Sequence, residues 1–481
     1  MSMRVVRVRA GDDGVAAHRL REGIAAIRAE MELTADFPPE VDTAAERAAA
    51  EPRLPDLDRT DLPFVTLDPA GAQDLDQALH LERRGEGYLV HYAIADVAAF
   101  VTPGDPVDAE ANRRGETLYG ADSKIPLHPR AISEDAGSLL PDQVRPALLW
   151  TMELDATGEG TSVHVERALV RSRAQLTYDQ VQAALDDGTA DEVFTLLGEV
   201  GRLRLAREAA RGGISLPLPE QEIDVRGVRW HLEFRSLHPV EEWNAQISLL
   251  TGMAAASLMV DAKVGLLRTL PPADPRDVRR LRRTARSLGI DWPRDQDYPA
   301  FIRGLDPVRP RHAAMVVACT RLLRGSGYAG FEGELPEQTE HSAIAAEYAH
   351  VTAPLRRLVD RYAGEVCVAL CAGTEVPSWV TERLPDLPGL MQSSRQRANR
   401  YENAIVNLVE AATLEPHLGE SFPGVVVEVD PEDQTRGEVS LAEPAVEARV
   451  SGSTPLPLGE EVIVRLVTAD PATRAVGFEL A

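Results

Sequence analysis

Thr66-Leu67-Asp68-Pro69-Ala70-Gly71-Ala72-Gln73-Asp74-Leu75-Asp76-Gln77-Ala78 places three carboxylates within nine residues beside a Pro/Gly turn. Unless this stretch is fully extended, several negative charges lie within a few ångströms of one another. Such crowding raises carboxylate pKa values and costs stability, and a counter-cation resolves it. Hard Mg²⁺ or Mn²⁺ prefers these oxygen ligands and keeps positions open for phosphate oxygens. A solvated acidic loop, common in an acid-rich chain, fits the same spacing, so two readings stand at this point. Parity adds a constraint. In a regular strand over 74–77, Asp74 and Asp76 share one face and Gln77 points to the other.

Working outward, 62–67 and 87–97 read as strands enclosing the acidic stretch, and 149–154 with 162–170 as a hairpin around 155–158. From Tyr178 onward helical periodicity takes over, at 178–186, 190–211, 240–262, 274–288, 309–323, 352–374 and 389–415. Strands followed by helices indicate an α+β domain. Beyond Phe422 five short β runs, near 424–430, 435–441, 445–450, 461–468 and 474–480, suit a small OB-type barrel. Before residue 40 one amphipathic helix carries Leu20, Ile24, Ile27 and Met31 on a stripe.

A second constellation is Thr352-Ala353-Pro354-Leu355-Arg356-Arg357. Pro354 suits the first turn of a helix and Thr352 its cap, which predicts Arg356 and Arg357 near an exposed helix N-terminus, where anions bind. Two arginines on a solvated helix face are the plainer alternative. His341 and His350 read as structural, and Cys319, Cys367 and Cys371 as packing side chains.

The chain has 481 residues and a net charge of -25, from 51 Lys+Arg against 76 Asp+Glu. That balance argues against a uniformly basic nucleic-acid surface. Local pattern argues the other way. Arginines cluster at Arg276-Arg279-Arg280-Arg282-Arg283-Arg286 and at Arg395-Arg397-Arg400, and Lys124 and Lys263 are the only lysines. Length predicts two to four domains. No signal-type or membrane-spanning apolar run is evident, so the expected setting is cytoplasmic, with no membrane and no obligate protein partner.

The acidic stretch resembles the metal-binding signature of the ribonuclease II (RNB) family, Asp, five residues, Asp-x-Asp-Asp-Ala. The second constellation is similar to that family's Thr-Ser-Pro-Ile-Arg-Arg/Lys element. Between them, in family order, lie Ile94-Ala95-Asp96-Val97, Ile125-Pro126, Val144-Arg145-Pro146, Leu176-Thr177-Tyr178-Asp179, Val240-Glu241-Glu242 and His341. The resemblance implies an RNB-type catalytic domain over 56–418 and an OB-fold RNA-binding barrel over 420–481, which leaves a small helical, helix-turn-helix-like segment over 1–55.

By the same resemblance, the implied activity is metal-dependent, hydrolytic 3′-to-5′ exoribonuclease action that releases nucleoside 5′-monophosphates. The implied cofactor is Mg²⁺, with Mn²⁺ as a substitute, and the implied partner is the 3′ end of RNA, read largely without regard to sequence. Asp68, Asp74, Asp76 and Gln77 fall on the metal-binding positions, and Asp74, Asp76 and Arg356 on catalytic ones. Tyr119, Tyr178, Glu241, Arg356 and Arg357 fall on RNA-binding positions.

The chain departs from the pattern in four places. Gln77 stands where a fourth aspartate is usual, 213–217 lacks an opposing aromatic, Ser248 stands where Asn is usual, and Asn399 where Glu is usual, with Glu402 nearby. Family members typically carry two cold-shock domains before the catalytic domain, and residues 1–40 cannot contain them. That predicts a more open entrance, tolerant of duplex RNA with a 3′ overhang. Two other activities remain open: an RNA-binding factor without catalysis, motivated by Gln77, and a metal-dependent DNA exonuclease.

Overall fold

The computed structural model describes residues 7–9, 15–121, 123–216, 220–226 and 229–481. A strand β1 (Arg7–Arg9) and helices α1 (Val15–Glu30) and α2 (Pro39–Ala50) precede β2 (Phe64–Asp68), β3 (Gln77–Arg84) and β4 (Gly87–Ala95). Helix α3 (Pro106–Arg114) leads into a two-stranded ribbon, β5 (Leu118–Tyr119) and β6 (Lys124–Ile125), and then the long hairpin β7 (Val144–Leu154) and β8 (Gly160–Thr177).

The strands β2-β3-β4-β7-β8 close into a barrel, antiparallel throughout except where β2 runs parallel to β8. The sequence reading predicts strands here without their closure. Closure follows from length: β8 spans 18 residues, enough to pair with β7 along its first part and with β2 along its last. Trp150 and Tyr92 are fully buried and join the core that later helices complete, and β4 is buried along nearly its whole length.

Helices α4 (Tyr178–Asp187) and α5 (Glu192–Arg211) follow the barrel directly. Next come a hairpin, β9 (Glu220–Arg226) and β10 (Arg229–Arg235), and α6 (Pro239–Ala262). By length and composition α6 could cross a membrane. Here it packs against α5 and α10 and buries Val240, Ile247, Ala255 and Met259 in the main core, the pattern of a helix that is apolar because it is interior. Strand β11 (Val264–Thr269), helices α7 (Pro275–Ser287), α8 (Tyr298–Arg303) and α9 (Pro310–Cys319), and strands β12 (Gly327–Glu332), β13 (Glu340–His341) and β14 (Ala346–Glu347) lead to α10 (Leu358–Ala372), α11 (Ser378–Thr381) and α12 (Leu387–Leu414). The C-terminal strands β15 (Ser421–Val429), β16 (Arg436–Leu441), β17 (Val446–Ser451), β18 (Glu461–Asp470) and β19 (Ala475–Leu480) form a second closed barrel, as the periodicity predicts.

Three expectations change. Helix α10 starts at Leu358, not at 352, because Arg357 has extended backbone (φ -134°, ψ 125°) and bridges to Glu116. Pro354 therefore lies in a loop, and Arg356 and Arg357 precede the helix. The β1-β9-β10 sheet has no counterpart in the sequence reading, because its strands lack clean alternation. The two N-terminal helices are not a self-contained module. Leu20, Ile24 and Ile27 of α1 pack with Tyr401, Ile405 and Leu408 of α12, whereas Val41 and Ala45 of α2 join the core beside the first barrel.

Candidate active site

Barrel closure builds the site. The parallel register sets Asp68, the last residue of β2, opposite Thr177, the last residue of β8. Tyr178 follows at once as the first residue of α4, capped by the Thr177 hydroxyl accepting from Gln180 N–H. Two residues more than a hundred positions apart thereby share one rim. The loop after Asp68 is irregular up to Gln77, so the strand parity expected over 74–77 does not apply. Polar contacts replace the missing ladder: the Ser138 hydroxyl accepts from Leu75 N–H at 2.9 Å and donates to the Gln73 carbonyl at 2.6 Å, and Gln175 donates to the Ala72 carbonyl at 2.8 Å.

Asp76 sits at the end of this loop, only 4% exposed. Its Oδ1 accepts from Leu355 N–H at 2.8 Å, and its Oδ2 lies 3.2 Å from Arg356 Nε. Burial pushes its carboxyl up to about 7, with Arg356 and the Leu355 N–H opposing and Asp74 adding to the rise. Asp68 is pushed up to about 7 for the same first reason, with Arg356 opposing and Asp74 again raising. Its Oδ2 is buried without a hydrogen-bond partner. These are desolvated carboxylates in one electrostatic neighbourhood, and a cation is the group that relieves them.

Arg356 comes from the loop that precedes α10. That loop is pinned to the residues after α3: Thr117 N–H donates to the Arg356 carbonyl at 3.0 Å, and Leu358 N–H to the Gly115 carbonyl at 3.0 Å. The Arg356 side chain is 43% exposed, while its Nε is buried and not aligned for a hydrogen bond to any acceptor. Its guanidinium is therefore placed by charge and open to a ligand. Tyr119, on the β5–β6 ribbon, is 40% exposed, and its phenol lies in the field of Arg356, Asp74 and Asp76. An exposed ring at that spot is a platform for a nucleobase.

Three of the predicted residues have partners within the protein. Arg357 forks onto Asp360, with Nε 2.8 Å from Oδ1 and the terminal nitrogen 2.8 Å from Oδ2, and Asp360 also accepts from Ala353 N–H. Its work is to hold the loop. Glu241 lies in the first turn of α6. Both its oxygens accept from Arg235, at 2.6 and 3.0 Å, and one accepts from His238 N–H, which makes it a helix N-terminal acid. Gln77 is the third of these residues. Its amide nitrogen donates to the Thr352 carbonyl at 2.6 Å, and its amide oxygen accepts from the Tyr92 hydroxyl at 2.7 Å, so it ties the barrel to the 353–357 loop.

The Tyr178 hydroxyl accepts from the Asn244 amide at 3.2 Å, and Ser248 meets Thr352 at 2.8 Å. His350 pairs with the Tyr328 hydroxyl, and burial holds its pKa well below the ordinary imidazole range. It is a neutral structural histidine, as expected from the sequence. Of the stretch expected to lack an aromatic, Pro217 lies outside the described residues; 213–216 supplies none.

Sequence reasoning missed Lys124, whose Nζ lies 2.6 Å from Asp74 Oδ1 and 3.1 Å from Glu134 Oε1. Its rarity in an arginine-rich chain was the available signal. Among the described residues, no three His, Cys, Asp or Glu side chains form a ready metal cage. Asp68, with its orphaned oxygen, and Asp76 fit one divalent cation. Asp74 and Gln77, each already engaged, do not fit a second.

Residues 57–370 match the RNB domain, and 420–481 match the RNase II-type exonuclease C-terminal S1 domain. Ribonuclease R 1 of Lactococcus lactis is 26% identical over 512 aligned residues, covering 94% of this chain and 60% of its own length. This chain thus spans less than two thirds of that relative. Among solved structures, Mycoplasma genitalium RNase R in complex with ribose-methylated single-stranded RNA superposes with a TM-score of 0.84 at 18% identity, over 96% of this chain and 78% of that one. Yeast Ssd1, a pseudonuclease, superposes with a TM-score of 0.68 at 15% identity, over 90% of this chain and 55% of that one. With the RNB match extending over more than half its length, and the rim carboxylates and Arg356 set together as described, this chain belongs to the RNB-domain family.

Proposed function

We propose that the chain is a metal-dependent exoribonuclease that shortens RNA from its 3′ end and releases nucleoside 5′-monophosphates. The observation that carries this reading is the meeting of two desolvated carboxylates, Asp68 and Asp76, with the half-exposed guanidinium of Arg356 at one rim of the barrel. Asp68 and Asp76 would hold Mg²⁺ or Mn²⁺. When bound, such an ion supplies Lewis-acid stabilisation and lowers the pKa of water.

The chain's own residues do the rest. Arg356 neutralises charge growing on the phosphate oxygens, Tyr119 stacks on a base, and Tyr178, beside Asp68, positions the terminal nucleotide. Water attacks phosphorus and the P–O3′ bond breaks; the departing O3′ takes up a proton and becomes the new 3′ end. Stacking and backbone contacts imply weak sequence preference, and contacts to the 2′-hydroxyl would favour RNA over DNA.

The test incubates 5′-labelled RNA and DNA oligonucleotides with Mg²⁺, Mn²⁺ or EDTA, alongside Asp76→Asn. Shortening of RNA from the 3′ end, abolished by EDTA and reduced on the order of a thousandfold by Asp76→Asn, is the expected result. Activity that persists in EDTA or prefers DNA overturns it. A second reading, an RNA-binding factor without catalysis, is favoured by the full engagement of Gln77; retention of intact RNA in the same assay would establish it. Including a duplex with a 3′ overhang tests the further proposal that the entrance admits paired RNA. A stall several nucleotides ahead of the duplex defeats that proposal.

A further inference from the structure

Lys124 is one of two lysines among 51 basic residues, and it is set into the candidate active site. The β5–β6 ribbon pairs Tyr119 with Lys124, so the exposed ring and the ammonium are placed by one turn. That turn is tightly held. Arg28 donates to the Ser123 hydroxyl at 2.7 Å and to the Tyr401 hydroxyl at 2.9 Å, and a Cβ on Gly120 would meet the Tyr401 hydroxyl at 2.8 Å. The Lys124 side chain is 19% exposed and lies between two acids, Asp74 at 2.6 Å and Glu134 at 3.1 Å, both largely shielded from solvent. A solvated surface lysine would cover neither. A compact ammonium there acts as a fixed point charge.

Two observations on opposite sides of Asp76 lead to one consequence. Asp74 already has a cation, and Gln77 is neutral with both ends of its amide bonded. A second divalent ion would have to displace the lysine or break the link that joins the barrel to the 353–357 loop. Asp68, by contrast, keeps an orphaned oxygen, and Asp76 Oδ2 faces Arg356 Nε at 3.2 Å without an aligned hydrogen bond. We infer that Lys124 takes the place of a second metal ion: the centre holds one divalent cation, through Asp68 and Asp76, with the Lys124 ammonium as a permanent positive charge on Asp74. This rests on the proposed role of Asp68 and Asp76 as metal ligands.

Counting metal directly tests it without reference to RNA hydrolysis. The full chain is titrated with Mn²⁺, with and without a 2′-O-methylated oligoribonucleotide, and read by calorimetry and electron paramagnetic resonance. Wild type and Lys124→Arg are expected to bind one Mn²⁺ with an uncoupled six-line spectrum. The double variant Lys124→Ala/Gln77→Asp frees Asp74 and adds the missing carboxylate at position 77, and is expected to bind two Mn²⁺ with a spin-coupled spectrum, as for ions about 4 Å apart. Circular dichroism confirms that each variant is folded. Two Mn²⁺ of similar affinity in wild type overturn the inference while leaving Asp68 and Asp76 as ligands, and so does a folded double variant that still binds one. No Mn²⁺ binding by wild type overturns the ligand assignment itself, and the inference with it.

Discussion

Arg356 and Arg357 are adjacent in sequence and opposite in use. Arg357 forks onto buried Asp360, which also receives Ala353 N–H, so removing the guanidinium leaves an uncompensated buried charge. Arg357→Ala should cost about 3–5 kcal/mol of stability, the usual penalty for breaking a buried pair, and a thermal melt reads it as a lowered Tm. Arg356 is half exposed and makes no aligned hydrogen bond through Nε, so Arg356→Ala should lower Tm less than Arg357→Ala does. Its expected effect is on turnover, a fall in kcat of roughly 10²–10³ with a smaller change in KM, as for other groups aimed at charge that develops in the transition state. Equal loss of stability in both variants would erase this distinction. The sequence named both arginines but could not divide their roles, because the division depends on Asp360 one turn into a helix whose start the Thr352-Pro354 signal misplaces.

Helix α7 carries the chain's densest positive charge. Leu281, Ala285 and Leu288 face the core, while Arg276, Arg279, Arg283 and Arg286 are exposed on the other face, and none of these four makes an ion pair among the described residues. Arg282 differs. It donates to the Trp292, Pro293 and Gln296 carbonyls and lies over the Trp292 ring, so it braces the turn after the helix. A stripe of unpaired guanidiniums on a chain of net charge -25 is the surface expected to draw RNA phosphates. Replacing Arg276, Arg279 and Arg283 together by Gln should weaken RNA binding at least about tenfold. It should also flatten the dependence of log K on log salt by roughly 2, since each single-strand phosphate contact contributes about 0.7. An unchanged salt slope would place the RNA path elsewhere. The periodicity of α7 was legible because an isolated amphipathic helix declares both faces locally. The β9–β10 hairpin was not, since it is stabilised from outside itself: the Leu232 carbonyl accepts from Ala445 N–H of the C-terminal barrel.

At the scale of the molecule, buried histidine ties stability to pH. The His128 ring is enclosed beside Arg361, and burial with that neighbouring charge pushes its pKa down to about 3. Its folded value lies below its unfolded value of about 6.5, so the stabilisation is present above pH 6.5 and is lost as pH falls from 6.5 toward 3. Asp68 and Asp76 act in the opposite sense between about 4 and 7 in the metal-free protein, because their folded values are raised. A comparison of wild type with His128→Gln cancels that shared contribution. The stability difference between them, from denaturant titrations at a series of pH values, should shrink by roughly 4–5 kcal/mol from pH 7 to pH 3. A difference independent of pH would show that the ring titrates normally.

Family resemblance joined Arg356 to Asp68, Asp74 and Asp76; the sequence by itself determined the main helices, the five strands of the C-terminal barrel and the clustering of those three aspartates. These depend on periodicity and short spacing, which are properties of neighbouring residues. Only the tertiary structure decided that β2 closes against β8, so that Asp68 stands beside Tyr178. It also decided that Gln77, Glu241 and Arg357 are already bonded within the protein, and that Lys124, 50 residues away in sequence, meets Asp74. A charged or amide side chain takes whichever partner the fold brings within about 3 Å, and local sequence does not specify that partner.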